Sequence, residues 1–358
     1  MKSKRRKVLK KVIFQPQKLK ETIVKLLLGY GIHQSHAEVV SDVLIEAELC
    51  GLNSHGIRTL TGHLKHLEAG GYNLKPQFGI INSGGAFLVF DGDNAMGFVS
   101  AYHGMELAIK GAEEKGIFTV FSRNNNTFGP GFYYSSLAAK KGFIGIAMSN
   151  SPAAMAPWKG KDKLLGTNPI SIAIPVSDGV PIVLDMASSQ VAKSRINEFF
   201  MKDQPLPQGW AMDSQGHQTT DPEKAINGLM MPMAEHKGYA IAMMIDILAG
   251  VLSGSAYLNK VGKFYKEVSN GMKVGFLFVV IDPKQVFCEE FYDTMKQYRE
   301  IIKKSSPLDF NNPVRLPGDT KEDNRRKNTE NGLIIDQAII DAINGYLIMN
   351  GKETRLEG

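Results

Sequence analysis

Residues 99–148 read VSAYHGMELAIKGAEEKGIFTVFSRNNNTFGPGFYYSSLAAKKGFIGIAM, and their periodicity alternates between helical and strand-like. From Val99 to Lys115 apolar residues recur at helical spacing, which predicts a helix stopped at Gly116. Residues 117–121 form a short apolar run of strand type, 131–141 a second helix ended by Gly142, and 143–148 a second strand. Helices and strands in this succession specify an α/β or α+β core whose sheet is largely buried.

Towards the N-terminus, residues 17–29 and 36–50 carry apolar side chains at helical spacing, so the chain opens with a helical pair. A turn follows at Asn53, a helix over 59–69 ends at Gly70-Gly71, and 87–90 is a strand candidate. Towards the C-terminus, strands over 169–174 and 180–184 flank a turn at 177–179. Residues 204–233, rich in Pro, Gly, Asp and Met, read as an irregular excursion across the surface or a partner. An apolar helix over 237–252, a strand over 275–281 and an amphipathic helix over 287–304 come next. Residues 319–330 read as a charged loop in which four basic and four acidic residues cancel, ahead of a last helix over 334–348.

The chain of 358 residues is 43% hydrophobic and 22% charged, which excludes a disordered, collagenous or coiled-coil protein. A formal charge of +6 suggests a nucleic-acid or membrane-surface partner until the positions are read. Lys2, Lys4, Arg5, Arg6, Lys7, Lys10 and Lys11 stand in residues 1–12 without an acid, and removing these seven leaves 35 basic against 36 acidic side chains. Residues 1–12 therefore read as a basic tail, either a solvated end or a targeting fragment, on a neutral body with no nucleic-acid partner. Cys50 and Cys288 cannot build a multi-bridge framework, so a reducing compartment, the cytoplasm, is expected. No run approaches eighteen apolar residues and the start lacks the apolar stretch of a secretory signal, so neither a membrane partner nor export is expected.

The Gly-x-Gly-x-x-Gly fingerprint after a strand, the Gly-x-x-x-x-Gly-Lys-Ser/Thr phosphate loop and His-Glu-x-x-His are all absent from the sequence, so a Rossmann reading is unsupported. No Cys or carboxylate stands at metal-ligand spacing from His63 or His66. Chemistry concentrates in Asn53-Ser54-His55-Gly56-Ile57-Arg58. An imidazole donates a proton near neutral pH and a guanidinium holds a carboxylate through two parallel bonds, the two needs of 2-oxo acid reduction. The same residues also fit a helix cap followed by a solvated arginine. Gly129 and Gly131 suit either an anion at a helix N-terminus or a plain turn. Gly166-Thr167-Asn168-Pro169 fits a ligand or a turn, and Asp185 at a strand end fits ribose hydroxyls, the orientation of a catalytic group, or a helix N-cap. His236-Lys237-Gly238 sets a cation at a helix start, against the dipole, a local cost that favours function.

Ser54-His55-Gly56, residues 123–129, Ala156-Pro157-Trp158, Gly166-Thr167-Asn168-Pro169, Leu184-Asp185-Met186-Ala187, Gly209-Trp210 within 207–213, Thr219-Thr220-Asp221-Pro222, His236-Lys237-Gly238-Tyr239 and Leu316-Pro317-Gly318 follow one another in register. In that order they resemble the type 2 malate/L-lactate dehydrogenase family of NAD(P)-dependent oxidoreductases, from about Leu19 to Leu347. The resemblance implies an α/β fold with a non-Rossmann mixed β-sheet flanked by helices and with helical N- and C-terminal segments. It implies a homodimer, a helical and substrate-side part over 13–120 with 285–358, a nicotinamide cofactor-binding part over 121–284, and an active site in the cleft between them. The implied reaction is reversible hydride transfer between NAD or NADP and a small-molecule 2-oxo/2-hydroxy acid or related imine. By matching position, His55 is implied as proton donor. Ser151, Asn168, Asp185, Met186, Ala187, Lys237, Gly238, Gly318 and Asp319 are implied at the cofactor, and no metal is implied.

The chain departs from the family pattern at several of these places. Thr127 stands where members usually carry a histidine assigned as acid/base; threonine cannot titrate near pH 7, so proton transfer falls to His55 or a water relay. His63 replaces a common Tyr and supplies a second imidazole. Thr59 occupies the place of a substrate arginine and Arg58 precedes it by one residue, about 100° around a helix. The expectation is a 2-hydroxyacid dehydrogenase with malate/oxaloacetate as default substrate, His55 as proton donor, Arg58 or His63 on the carboxylate and Lys237 at cofactor phosphate or ribose. The alternatives are a reductase of a sugar-derived keto acid or cyclic imine, and a catalytically silent cofactor-binding relative, the latter motivated by Thr127.

Overall fold

A computed structural model describes residues 10–177 and 179–358; residues 1–9 of the basic tail and Asp178 of the expected turn lie outside the described residues. Two compact units emerge, one of the chain up to Glu68 with Thr320–Gly358, the other of Ala69–Asp319. Residues 69–120, expected on the substrate side, pack in the same unit as 121–284.

The first unit opens with β1 (Lys11–Phe14), so the end of the expected tail is a strand. In α1 (Pro16–Leu28), proline stands in the first turn, where its missing N–H costs nothing, and Leu19, Ile23, Leu26 and Leu27 line one buried stripe. Burying each such side chain contributes about 1.5–3 kcal/mol. α2 (Gln34–Leu49) follows, then a 3-10 turn at Ile57–Thr59 running into α3 (Leu60–Glu68).

The second unit is built on β2 (Ile80–Ser83), β3 (Phe87–Asp91), α4 (Gly97–Lys115), β4 (Ile117–Asn125), α5 (Gly131–Lys140), β5 (Ile144–Ser149), β6 (Ile170–Ile174) and β7 (Ile182–Met186). α6 (Lys193–Met201), β8 (Ala211–Met212), β9 (Gln218–Thr219), α7 (Pro222–Asn227) and β10 (Leu229–Met230) lead to α8 (His236–Ile245). β11 (Val274–Ile281), α9 (Pro283–Phe287) and α10 (Glu290–Lys303) complete it. The main sheet has seven strands in the order β2-β3-β4-β11-β5-β6-β7. β3 and β4 are parallel, joined by the crossover helix α4, and every other neighbouring pair is antiparallel. β11 shows how the layers form. Phe276 and Phe278 lie on the face covered by α4 and α5, where Gly104 of α4 lets the helix approach: a Cβ there would sit 2.6 Å from the Phe278 ring. Leu277, of opposite parity, packs with Ile245 and Ala249 on the other face.

Three segments differ from the reading of the sequence. Residues 204–233 are not a surface excursion: β10-β8-β9 form a small antiparallel sheet, and Leu206, Ala211, Ala225 and Met230 share a core with Met155, Leu165, Ile196 and Ala242. Strands of two residues carry too little periodicity to be seen in sequence. The apolar helix over 237–252 changes at Ile245 into a π-type segment, Asp246–Val251. The charged loop over 319–330 is the helix α11 (Asp319–Asn331), before β12 (Leu333–Asp336) and α12 (Gln337–Met349). Its charges pair along the helix, Arg325 and Arg326 with Glu322 at 2.8 and 3.0 Å. Asn324 and Asn328, one turn apart, donate to the carbonyls of Cys50, Glu48 and Leu49 that end α2. β12 pairs antiparallel with β1, Phe14 opposite Leu333.

Candidate active site

In the first unit, the end of α2 and the 3-10 turn bracket the stretch Asn53-Ser54-His55-Gly56-Ile57-Arg58. Ser54 Oγ and His55 Nδ1 are 2.9 Å apart, and both residues are half-buried. Arg58 is exposed and makes no salt bridge with the described residues, so its guanidinium is open to an anion. Thr59 Oγ1 donates to the Gly56 carbonyl at 2.8 Å and serves the turn. His63 lies on α3 with 1% exposure; burial first, and neighbouring His66 second, push its pKa down to about 3. A neutral imidazole offers no charge to a carboxylate. Sequence reasoning missed Glu48: it is 4% exposed, and its carboxylate accepts the Ile57 N–H at 2.8 Å and the Asn53 amide at 2.6 Å. The available signal was an acid on the apolar stripe of α2, one turn beyond Leu44.

In the second unit, the loops after β5 and before β6, the end of β7 and the start of α8 are knitted together. Asn168 is fully buried; its Oδ1 accepts the Ser151 N–H at 3.0 Å and its amide donates to the Ala242 carbonyl of α8 at 2.8 Å. Asn168 therefore holds Ser151 and α8 in place, its amide committed to protein partners. Asp185, Met186 and Ala187 end β7 half-buried, and the Thr167 carbonyl accepts both the N–H and the hydroxyl of Ser188 at 2.9 Å. The Met233 N–H donates to the Ser188 carbonyl, and the Gly238 N–H to the Met233 carbonyl. A Cβ on Gly238 would overlap the Met233 and Ser188 carbonyls, so that residue brings backbone together instead of opening a cradle. Lys237 is exposed and makes no salt bridge with the described residues. The preceding Ala234 and Glu235 hold φ of 43° and 58°, a left-handed backbone costing non-glycine residues about 1–3 kcal/mol each. Trp158 stands 6.1 Å, ring to ring, from His236. Pro317 accepts the Val183 N–H at 2.9 Å, which docks Gly318 and Asp319 beside β7; Asp319 also pairs with Lys303 at 3.2 Å.

Thr127 is half-buried just beyond β4, where three successive asparagines tie the chain down. Asn124 donates to Asp91, Asn125 to the Val274 carbonyl, and Asn126 to Asn94 and Ala95. The motif over 123–129 is thus largely architecture. Asp246 of the π-type segment is 3% exposed, receives the Asn150 amide at 3.2 Å and the Leu258 N–H at 3.0 Å, and burial raises its pKa. Among the described residues no group of three or more His, Cys, Asp or Glu is placed to hold a metal, and no helix is long and apolar enough to cross a membrane. Lys237, Ser151 and Asp185 bring a cation, a hydroxyl and a carboxylate to this unit, groups of the kinds that a phosphate-bearing dinucleotide engages, while the N–H groups of Lys237, Gly238 and Tyr239 are spent on the Ala234, Met233 and Glu235 carbonyls.

A sheet with a single parallel pair beside β4, set with these polar loops, defines an α/β protein outside the Rossmann class. The model of the malate/L-lactate dehydrogenase family matches residues 14–344, and the chain belongs to that family of oxidoreductases. It is 34% identical to the malate/(S)-sulfolactate dehydrogenase of Methanothermus fervidus, over 93% of this chain and 96% of the relative. It is 38% identical to the malate dehydrogenase of Pyrococcus horikoshii over 79% and 80%. The solved sulfolactate dehydrogenase from Methanocaldococcus jannaschii superposes with a TM-score of 0.89 at 34% identity, covering 95% of this chain and 98% of that one. Relatives at 32% identity include an NAD(+) ureidoglycolate dehydrogenase of Escherichia coli, matching 92% of this chain and 93% of the relative, and an NADP(+) sulfolactate dehydrogenase of Chromohalobacter salexigens, matching 91% and 95%.

Proposed function

We propose that this protein is an NAD(P)-dependent 2-hydroxyacid dehydrogenase, with malate and oxaloacetate as its default substrate pair. The observation that carries the reading is the turn in which a half-buried imidazole, His55, precedes by three residues an exposed guanidinium with no salt bridge to the described residues, Arg58. Arg58 holds the substrate carboxylate through parallel hydrogen bonds. His55 gives a proton to the forming alkoxide and takes it back in the oxidation. The nicotinamide supplies the hydride when bound. Lys237 meets its phosphates, and Asp185 with Ser151 meets ribose or carboxamide. Met186, Ala187, Gly238, Gly318 and Asp319 belong to the same wall, Asn168 stands behind it, and Thr127 orients a water. Residues 121–284 form the cofactor-binding part in this reading.

A doubly anionic substrate such as sulfolactate is the second reading, favoured by the names of relatives at 34% identity. We also propose a homodimer in the cytoplasm; the unpaired thiols of Cys50 and Cys288 support a reducing compartment. The test is a panel of oxaloacetate, pyruvate, sulfopyruvate, diketogulonate and piperideine-carboxylate, each with NADH and NADPH, followed at the reduced-nicotinamide absorbance. Turnover of oxaloacetate or sulfopyruvate is expected. Turnover of the sugar acid or imine alone transfers the assignment to those substrates, and cofactor binding without any turnover marks a catalytically silent protein.

A further inference from the structure

Burying a carboxylate costs several kcal/mol unless its oxygens are bonded, so the partners of a buried acid show what it is for. Glu48 spends both oxygens on the stretch that carries His55 and Arg58: Oε1 takes the Ile57 N–H at 2.8 Å, Oε2 the Asn53 amide at 2.6 Å. Gly56 lies against the same carboxyl, and a Cβ at that position would overlap it, so the turn closes down on Glu48 with nothing between. Asn328 of α11 donates to the main-chain carbonyl of Glu48 at 3.3 Å. His55 thus sits between two residues, Asn53 and Ile57, that end on one buried side chain.

Resting on the reading that His55 and Arg58 meet a 2-oxo acid, we propose that Glu48 is the positioning residue of the site, its carboxylate setting the direction in which His55 and Arg58 leave the turn. Ionised, Glu48 offers acceptors to both donors; once protonated, its hydroxyl confronts one of them and the turn loosens. Burial raises this acid to about 7, against the bonds from Ile57 and Asn53 and the charge of Arg58, while Asp336 adds to the rise. Arg58 and Asp336 are the charged groups that face it. Reduction therefore gains a limb that increases with pH near neutrality.

Glu48→Gln and Glu48→Ala in the full chain test this, with kcat and KM for oxaloacetate and for NADH measured across pH 6–9 and the Ile57 amide followed by NMR on isoleucine-labelled protein. In the wild type the Ile57 resonance is expected to titrate near pH 7. In Glu48→Gln, whose side-chain amide confronts a donor as the protonated acid does, that titration and the rising limb disappear and turnover at pH 8 falls towards the wild-type level at pH 6. In Glu48→Ala kcat drops about 10²-fold and KM for oxaloacetate rises, with KM for NADH unchanged, as misplacement of a catalytic group predicts. An Ile57 resonance indifferent to pH, a rising limb that survives in Glu48→Gln, or a folded Glu48→Ala with wild-type kcat and KM each overturns the proposal. If Glu48→Ala does not fold, the glutamine variant and the Ile57 titration decide. A wild type that turns over nothing in the panel overturns the functional reading, and the titration then still decides whether Glu48 holds the turn.

Discussion

The 2.9 Å contact between Ser54 Oγ and His55 Nδ1 orients the imidazole ring, which makes His55 the residue whose loss is most telling. His55→Ala is expected to lower kcat for oxaloacetate reduction by about 10²–10⁴-fold, the usual range for a positioned general acid, with little change in cofactor binding; a stopped-flow single-turnover measurement checks it. Glu48 makes a separate prediction about stability. Its acid is raised from 4.5 to about 7 by burial, so the folded state binds the proton more tightly than the unfolded chain. The stabilisation is fully present below pH 4.5 and is lost as pH rises through 7. Relative to Glu48→Gln, the wild type should lose about 3 kcal/mol between those limits, measured as urea midpoints at pH 4.5, 6 and 8. The Ser-His-Gly triplet was legible because it is contiguous. Glu48 was not, because an acid on an apolar helix stripe means something only when its bonding partners are known.

At the scale of elements, α11 and the α8 rod carry the lesson. Sequence counts showed that the charges of 319–330 cancel but not that they pair at helical spacing around Glu322, nor that Asn324 and Asn328 would reach the open carbonyls of α2. Those contacts are tertiary, and average helix propensity over a segment so polar says little about docking. The double variant Asn324→Ala with Asn328→Ala is expected to cost about 1–3 kcal/mol, read as a lower urea midpoint, because it strips partners from the end of α2. A control substitution at exposed Lys327 should leave the midpoint unchanged. The helix over 237–252 was legible as an apolar run. Its change to a π-type turn was not, since it accompanies the hydrogen bonds that Asp246 receives from Asn150, 96 residues away, and from Leu258, 12 residues on.

For the whole molecule, the proposed dimer has a natural place to be tested. Ile241, Met244, Ile247, Leu248, Val251 and Leu252 are exposed at three- and four-residue intervals along one rod, an apolar run of the kind that a second copy covers. Val251→Glu should shift sedimentation from dimer towards monomer without unfolding the chain, and a wild type that sediments as a monomer removes the dimer from the account. Seven of the cations behind the +6 charge stand in residues 1–12, and the cations that serve the proposed chemistry are local, at Arg58 and Lys237. By itself the sequence determined the alternation of helices and strands, the absence of a Rossmann fingerprint and, through short motifs in register, the family. These are local patterns, and local patterns survive in one dimension. Only the tertiary structure decided which polar residues are scaffold and which are open. Asn168 is committed to Ser151 and α8, His63 is buried and neutral, and Glu48 is bonded beneath the turn. The physical reason is that the cost of a buried polar group is set by its partners, and those come from parts of the chain that no spacing rule connects.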